Sequence, residues 1–216
     1  MTSDGNGEWF PLPDGGIGES QVAGTPPERL DSLMPSDGET GVVRADAFRV
    51  CLGAFIDLME RHGQPLTLLT VAADPSDTLS FLGKKGTRLI GGAIARWLRQ
   101  ETRVHDVIGM SAREDASGPP VFVMICPLMT ESVAAAFAER LRESMTLSSA
   151  AEGSAWLTLS VGVAALSLDT HSPEALILRA EEALAGARRS GGGRVWSHSD
   201  SVRRIVDRNQ PDPPRD

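Results

Sequence analysis

Arg103 and Asp106, three residues apart in Arg-Val-His-Asp, bring a guanidinium and a carboxylate to one short stretch of chain. Read alone, an arginine at a helix end beside an aspartate is a surface ion pair worth little. Glu114 and Asp115 are adjacent carboxylates, the residue type that holds a hard cation, although an exposed Glu-Asp pair is commonly just solvated. His62, His105, His171 and His198 are scattered, and none has a Cys or His partner at metal-ligand spacing, so they read as surface residues. Cys51 and Cys126 each sit in an apolar stretch and read as small buried hydrophobes, which fits a reducing compartment better than a disulfide framework.

The chain that must position these groups has 216 residues, 41% of them hydrophobic, enough for one domain with a core plus tails. Its net charge is −8, and no Lys/Arg run stands beside interleaved aromatics, which excludes a nucleic-acid footprint. The longest apolar run, Val121 to Met129, is about half of what a membrane helix needs, and the N-terminus lacks a basic-then-apolar signal order. The expectation is a cytoplasmic protein without membrane insertion. Residues 1–36 hold six acidic residues, one basic residue, five prolines and six glycines, a composition that predicts a disordered tail. Residues 199–216 read as a flexible C-terminal tail, leaving a domain over 37–198.

Periodicity predicts a helix over 45–61 with Phe48, Leu52, Phe55, Ile56 and Met59 on one face. Leu66 to Ala73 is a continuous apolar and β-branched run, as expected of a strand buried on both faces at the centre of a sheet. A helix over 87–101 follows, after a loop over 74–86. Strands over 106–110 and 121–126 form a hairpin across a polar loop, and a helix over 130–144 comes next. A strand over 156–164 leads to Ser172-Pro173, which caps a helix reaching Arg189, and 194–197 is a short last strand. This order predicts an α/β (α+β) sandwich with a mixed, largely antiparallel sheet of about five strands flanked by helices.

Asp37-Gly-Glu-Thr-Gly-Val-Val-Arg-Ala-Asp-Ala-Phe48 resembles the opening D-x-L-T-G-L-x-N-R-R-x-F of the GGDEF (diguanylate cyclase) family. Leu157-Thr-Leu-Ser-Val-Gly-Val-Ala164 is similar to that family's late strand, and Pro173 to Arg189 to its following helix. The resemblance runs in unbroken order over about residues 37 to 198 and implies a nucleotidyl-cyclase palm-like fold. It also implies what is lost. The family condenses two GTP molecules across two facing domains, with two acidic side chains holding Mg²⁺. Here Ala72 stands at the first metal ligand, Ser80 at the guanine-reading asparagine, and Ala112-Arg113-Glu114-Asp115-Ala116 in place of the signature, with neither glycine kept. Arg188 replaces a phosphate-touching lysine and keeps its charge.

The resemblance also places Arg103 and Asp106 at the family's R-x-x-D inhibitory site, with Arg140 as the second arginine. Two guanidinium forks would grip phosphate oxygens and the guanine Hoogsteen edge, while the Asp106 carboxylate accepts from guanine N–H groups. The expected function is a degenerate, catalytically inactive signalling protein: no catalytic or metal-binding residue, no required cofactor, and cyclic di-GMP as its ligand. The alternatives are a nucleotide-independent interaction module of a larger bacterial complex with a protein partner, and a residual cyclase using Glu114 or Asp115. Pairing of two chains into a homodimer stays open.

Overall fold

A computed structural model describes residues 28–112, 120–151 and 157–199. The first helix, α1 (Ala45–His62), buries Phe48, Leu52, Ile56 and Met59, a spacing of three and four residues that keeps one stripe on the core. It ends at Gly63, whose left-handed backbone returns the chain, and Gln64 N donates to Met59 O at 2.9 Å. Strand β1 (Leu66–Ala73) is buried at every position, as a strand with helices on both faces must be.

The second helix, α2 (Asp77–Glu101), starts ten residues before the helix expected over 87–101, so most of the loop expected over 74–86 is helical. Ser76 caps it, accepting from Leu79 N at 3.1 Å. Gly83 interrupts it at φ 61° and ψ −170°, a conformation essentially confined to glycine. Two helical pieces therefore meet at a kink, and the second carries Ile94, Ala95 and Leu98 into the core.

Strands β2 (Val107–Met110) and β3 (Val121–Pro127) pair antiparallel, as expected of the hairpin. Helix α3 (Glu131–Ala151) runs seven residues beyond its expected end, and β4 (Leu159–Ala165) pairs antiparallel with β1. Helix α4 (Pro173–Arg189) has proline in its first turn and Ser172 as cap, accepting from Ala175 N at 3.2 Å. Strand β5 (Val195–Ser197) closes the sheet by pairing parallel with β4.

The sheet order is β2-β3-β1-β4-β5, with β1 central as the apolar run predicted. One face packs α2 and α3 through Ile94, Leu98, Ala134, Phe137 and Leu141; the other packs α1 and α4 through Phe48, Leu52, Ile56, Leu176 and Ala180. Gly162 is where α4 lies against β4, since a Cβ there would overlap the Ala180 carbonyl and the Leu184 amide.

Three further expectations change. Residues 28–36, assigned to the tail, pack on the domain: a 3₁₀ turn, Leu30–Leu33, buries Asp31, and Leu30 N donates to Val104 O at 3.0 Å. The rest of that tail (1–27) and residues 200–216 lie outside the described residues. Cys51 is only half-buried, whereas Cys126 is fully buried as expected. Among the histidines taken as surface residues, His198 is half-buried, with Nδ1 3.9 Å from Glu182 Oε2.

Candidate functional site

The turn between α2 and β2 carries Arg103-Val-His-Asp106. Helix α2 leaves its last carbonyls without intrahelical partners, and Thr102 closes the end by donating from Oγ1 to Leu98 O at 2.7 Å. The Arg103 amide then donates to Asp106 Oδ2 at 2.8 Å and the Asp106 amide to Arg103 O at 3.1 Å, folding the turn back on itself. The Asp106 side chain is fully buried, with Oδ1 lacking a hydrogen-bond donor among the described residues. Burial pushes its pKa up, against the Arg103 amide bond and the nearby positive charges of His105, Arg103 and Arg29.

This geometry corrects one sequence expectation. The Asp106 carboxylate was expected to face a ligand, but it points inward and serves the turn. The Arg103 side chain is exposed and takes no ion pair or hydrogen bond among the described residues. Arg140 lies on α3, on the same face of the sheet as α2, also exposed and without an ion pair; its guanidinium carbon stacks 5.1 Å from the centre of the Phe137 ring. Arg142, by contrast, is tied to Glu139 at 2.6 Å and lies 3.7 Å from Glu143. The alternation of free Arg140 and tied Arg142 leaves α3 one cation to offer.

A residue that sequence reasoning missed holds the turn from outside. Arg29 donates from Nη1 to the Arg99 and Thr102 carbonyls at 3.1 and 3.3 Å, and from Nη2 to the Asp106 carbonyl at 3.1 Å. It also binds both oxygens of Asp31, at 3.1 and 3.4 Å. One planar fork thus supplies the donors that the end of α2 needs and neutralises a buried carboxylate. The only signal in the sequence was a lone cation in an acidic stretch.

At the other end of β1, the residues do not fit a metal site. Ala72 and Ala73 are fully buried, paired across the sheet with Val121, Ser160 and Leu159, and a methyl group coordinates nothing. Asp74, the nearest carboxylate, is already occupied: it accepts from Thr158 Oγ1 at 2.9 Å, Ser160 Oγ at 2.5 Å and Gly193 N at 2.7 Å. It therefore knits β1 to β4 and to the turn before β5. Arg188 donates to the Ala73 carbonyl at 2.9 Å. Ser80 is an exposed helix residue whose hydroxyl returns to Ser76 O at 3.0 Å, so it is not poised to read a base. Ala112 is exposed after β2, while Arg113, Glu114, Asp115 and Ala116 lie outside the described residues. Among the described residues no group of three His, Cys, Asp or Glu side chains is arranged to hold a metal ion, and no helix is long and apolar enough to cross a membrane.

No family model matches the sequence, and no curated protein matches it. Solved structures do match. The GGDEF domain of DgcB from Caulobacter crescentus, in complex with c-di-GMP, aligns at 22% identity and TM-score 0.63 over 76% of this chain and 95% of that one. The GGDEF domain of FimX from Pseudomonas aeruginosa aligns at 21% and 0.61 over 74% and 97%. The diguanylate cyclase SiaD from the same organism, in complex with its activator SiaC, aligns at 22% and 0.63 over 75% of this chain and 61% of that chain. At these identities the likeness is one of fold, and the fold is that of GGDEF domains.

Proposed function

We propose that this chain, with its GGDEF-domain fold, is a catalytically inactive regulatory receptor that binds cyclic di-GMP through Arg103 and Arg140, on the turn that Asp106 shapes. The observation that carries the reading is that the Arg103 and Arg140 guanidiniums are both exposed and without an acidic partner among the described residues, in a protein of net charge −8. A guanidinium left free in such a chain is available to a phosphodiester, which it meets through two coplanar donors. DgcB, of the same fold, is bound to c-di-GMP, which makes that ligand the first to try. The unpartnered Oδ1 of Asp106 would take a guanine N–H only after the turn shifts to expose it.

Loss of catalysis rests on buried Ala72 at the place of a metal carboxylate and on an Asp74 whose acceptors are already used. The degenerate signature, Ala112 to Ala116, supports it through the absence of glycines that let a backbone approach phosphate.

Calorimetry with cyclic di-GMP tests the reading. Arg103→Ala or Arg140→Ala should weaken binding about ten- to a hundredfold, because a hydrogen bond to a charged group contributes about 1.5–3 kcal/mol. Arg103→Lys should fail almost as badly, since an ammonium lacks the fork. Asp106→Asn should discriminate guanine from adenine dinucleotides less well. Absence of heat with the unaltered protein at high micromolar ligand refutes the receptor reading. The alternative, a nucleotide-independent interaction module, is favoured by one observation: Asp106 is buried and committed to the Arg103 amide rather than offered outward.

A further inference from the structure

Between Asp77 and Glu101, helix α2 carries Lys84, Lys85, Arg88, Arg96 and Arg99 and no acidic residue, in a chain of net charge −8. Two of these cations are already engaged: Arg99 donates to the Gly41 carbonyl, and Arg88 meets Glu39 at 3.3 Å. Lys84 and Lys85 are exposed and make no ion pair among the described residues. They stand directly after the kink at Gly83.

The kink decides what stands beside them. Every residue from Ser80 to Lys85 is exposed, Phe81 at 91% and Leu82 at 41%. Gly83 turns the chain with a backbone that side chains rarely adopt, and Leu82 lies against Gly86, where a Cβ would overlap the leucine side chain. Two glycines thus set the bend, which carries a bare phenyl ring into solvent next to two unpaired ammonium groups. A stable protein interface buries about 800 Å² and about twenty residues a side, far more than a six-residue bend presents. A bilayer surface asks for less, since it deforms around a projecting ring and its interface favours aromatic side chains. Acidic headgroups add about fivefold in affinity for each lysine held near them.

We propose that the bend from Ser80 to Lys85 is a peripheral contact for a bilayer containing acidic phospholipids. Phe81 and Leu82 enter the headgroup region, and Lys84 and Lys85 pair with lipid phosphates. The contact lies in the plane of the interface, needs no spanning helix and is independent of the nucleotide reading.

Flotation of the full chain with vesicles tests this. Phosphatidylcholine carrying about one-third phosphatidylglycerol should bind the protein about tenfold more strongly than phosphatidylcholine alone. Salt at about 1 M, where screening reaches about 3 Å, should release most of it. The pair K84E and K85E should weaken binding by about tenfold or more, and F81S several-fold. The pair K84R and K85R should bind as the unaltered protein does, which separates loss of charge from misfolding. L168S, at a leucine 88% exposed before α4, should change nothing. Glycerol phosphate at millimolar concentration should not displace the vesicles, since a free headgroup offers nothing to the ring. Equal binding to both vesicles, binding indifferent to F81S and to charge reversal, or displacement by glycerol phosphate overturns the proposal. Absence of flotation overturns it too and leaves the bend to an acidic protein surface.

Discussion

Arg29 Nη2 and the Asp106 backbone oxygen are 3.1 Å apart, so one guanidinium joins the segment entering the domain to the turn that carries Arg103. The same side chain faces Asp31, whose carboxylate is fully buried, with Arg99 Nε, at 3.9 Å, as the only other cation in ion-pair reach among the described residues. Arg29→Ala leaves that carboxylate buried with one distant partner and orphans the carbonyls at the end of α2. It should destabilise the fold by about 2–4 kcal/mol in urea titrations. Amide exchange over 99–106 should accelerate in the same variant; unchanged exchange there would mean that the turn holds itself.

Incubation of the protein with GTP and Mg²⁺ or Mn²⁺ should yield no cyclic di-GMP by chromatography. Ala72→Asp alone should not create activity, because Asp74 stays committed to Thr158, Ser160 and Gly193. Metal-dependent turnover that disappears with Glu114→Ala would instead establish a residual cyclase.

Burial raises the pKa of Asp106, which fixes the sign of a pH effect. A carboxyl whose folded pKa exceeds its unfolded value binds its proton more tightly when folded. Its ionisation therefore costs stability above the raised value, and the cost fades as pH falls toward the ordinary value of about 3.9. Asp106→Asn keeps an acceptor for the Arg103 amide without the charge. Denaturant titrations from neutral to acid pH should show the unaltered protein gaining stability relative to Asp106→Asn; a constant difference would contradict a raised pKa.

Gly162→Ala tests the seat of α4 on β4. The added methyl meets the Ala180 carbonyl and the Leu184 amide, which are backbone and cannot rotate away. Overpacking against fixed atoms should cost about 3 kcal/mol, read as a lower denaturation midpoint with an unchanged slope. A neutral result would show that α4 can slide on the sheet.

What the sequence determined by itself was local or periodic. The unbroken apolar run of Leu66 to Ala73 placed β1 at the sheet centre because only a strand covered on both faces tolerates it. Ser172-Pro173 marked the start of α4, since a cap and a proline in the first turn depend on neighbours in the chain. The start of α2 escaped because the helical periodicity is broken at Gly83, inside the expected loop over 74–86, and the fold uses that glycine as a kink between two helical pieces. The site divided along the same line. Arg103 and Asp106 were legible as a pair, but which group faces solvent depends on what packs over the turn, and only the tertiary structure turned the carboxylate inward. Arg29 reaches Asp106 across 77 residues, a contact that no spacing rule encodes because it is the fold that brings the two segments together.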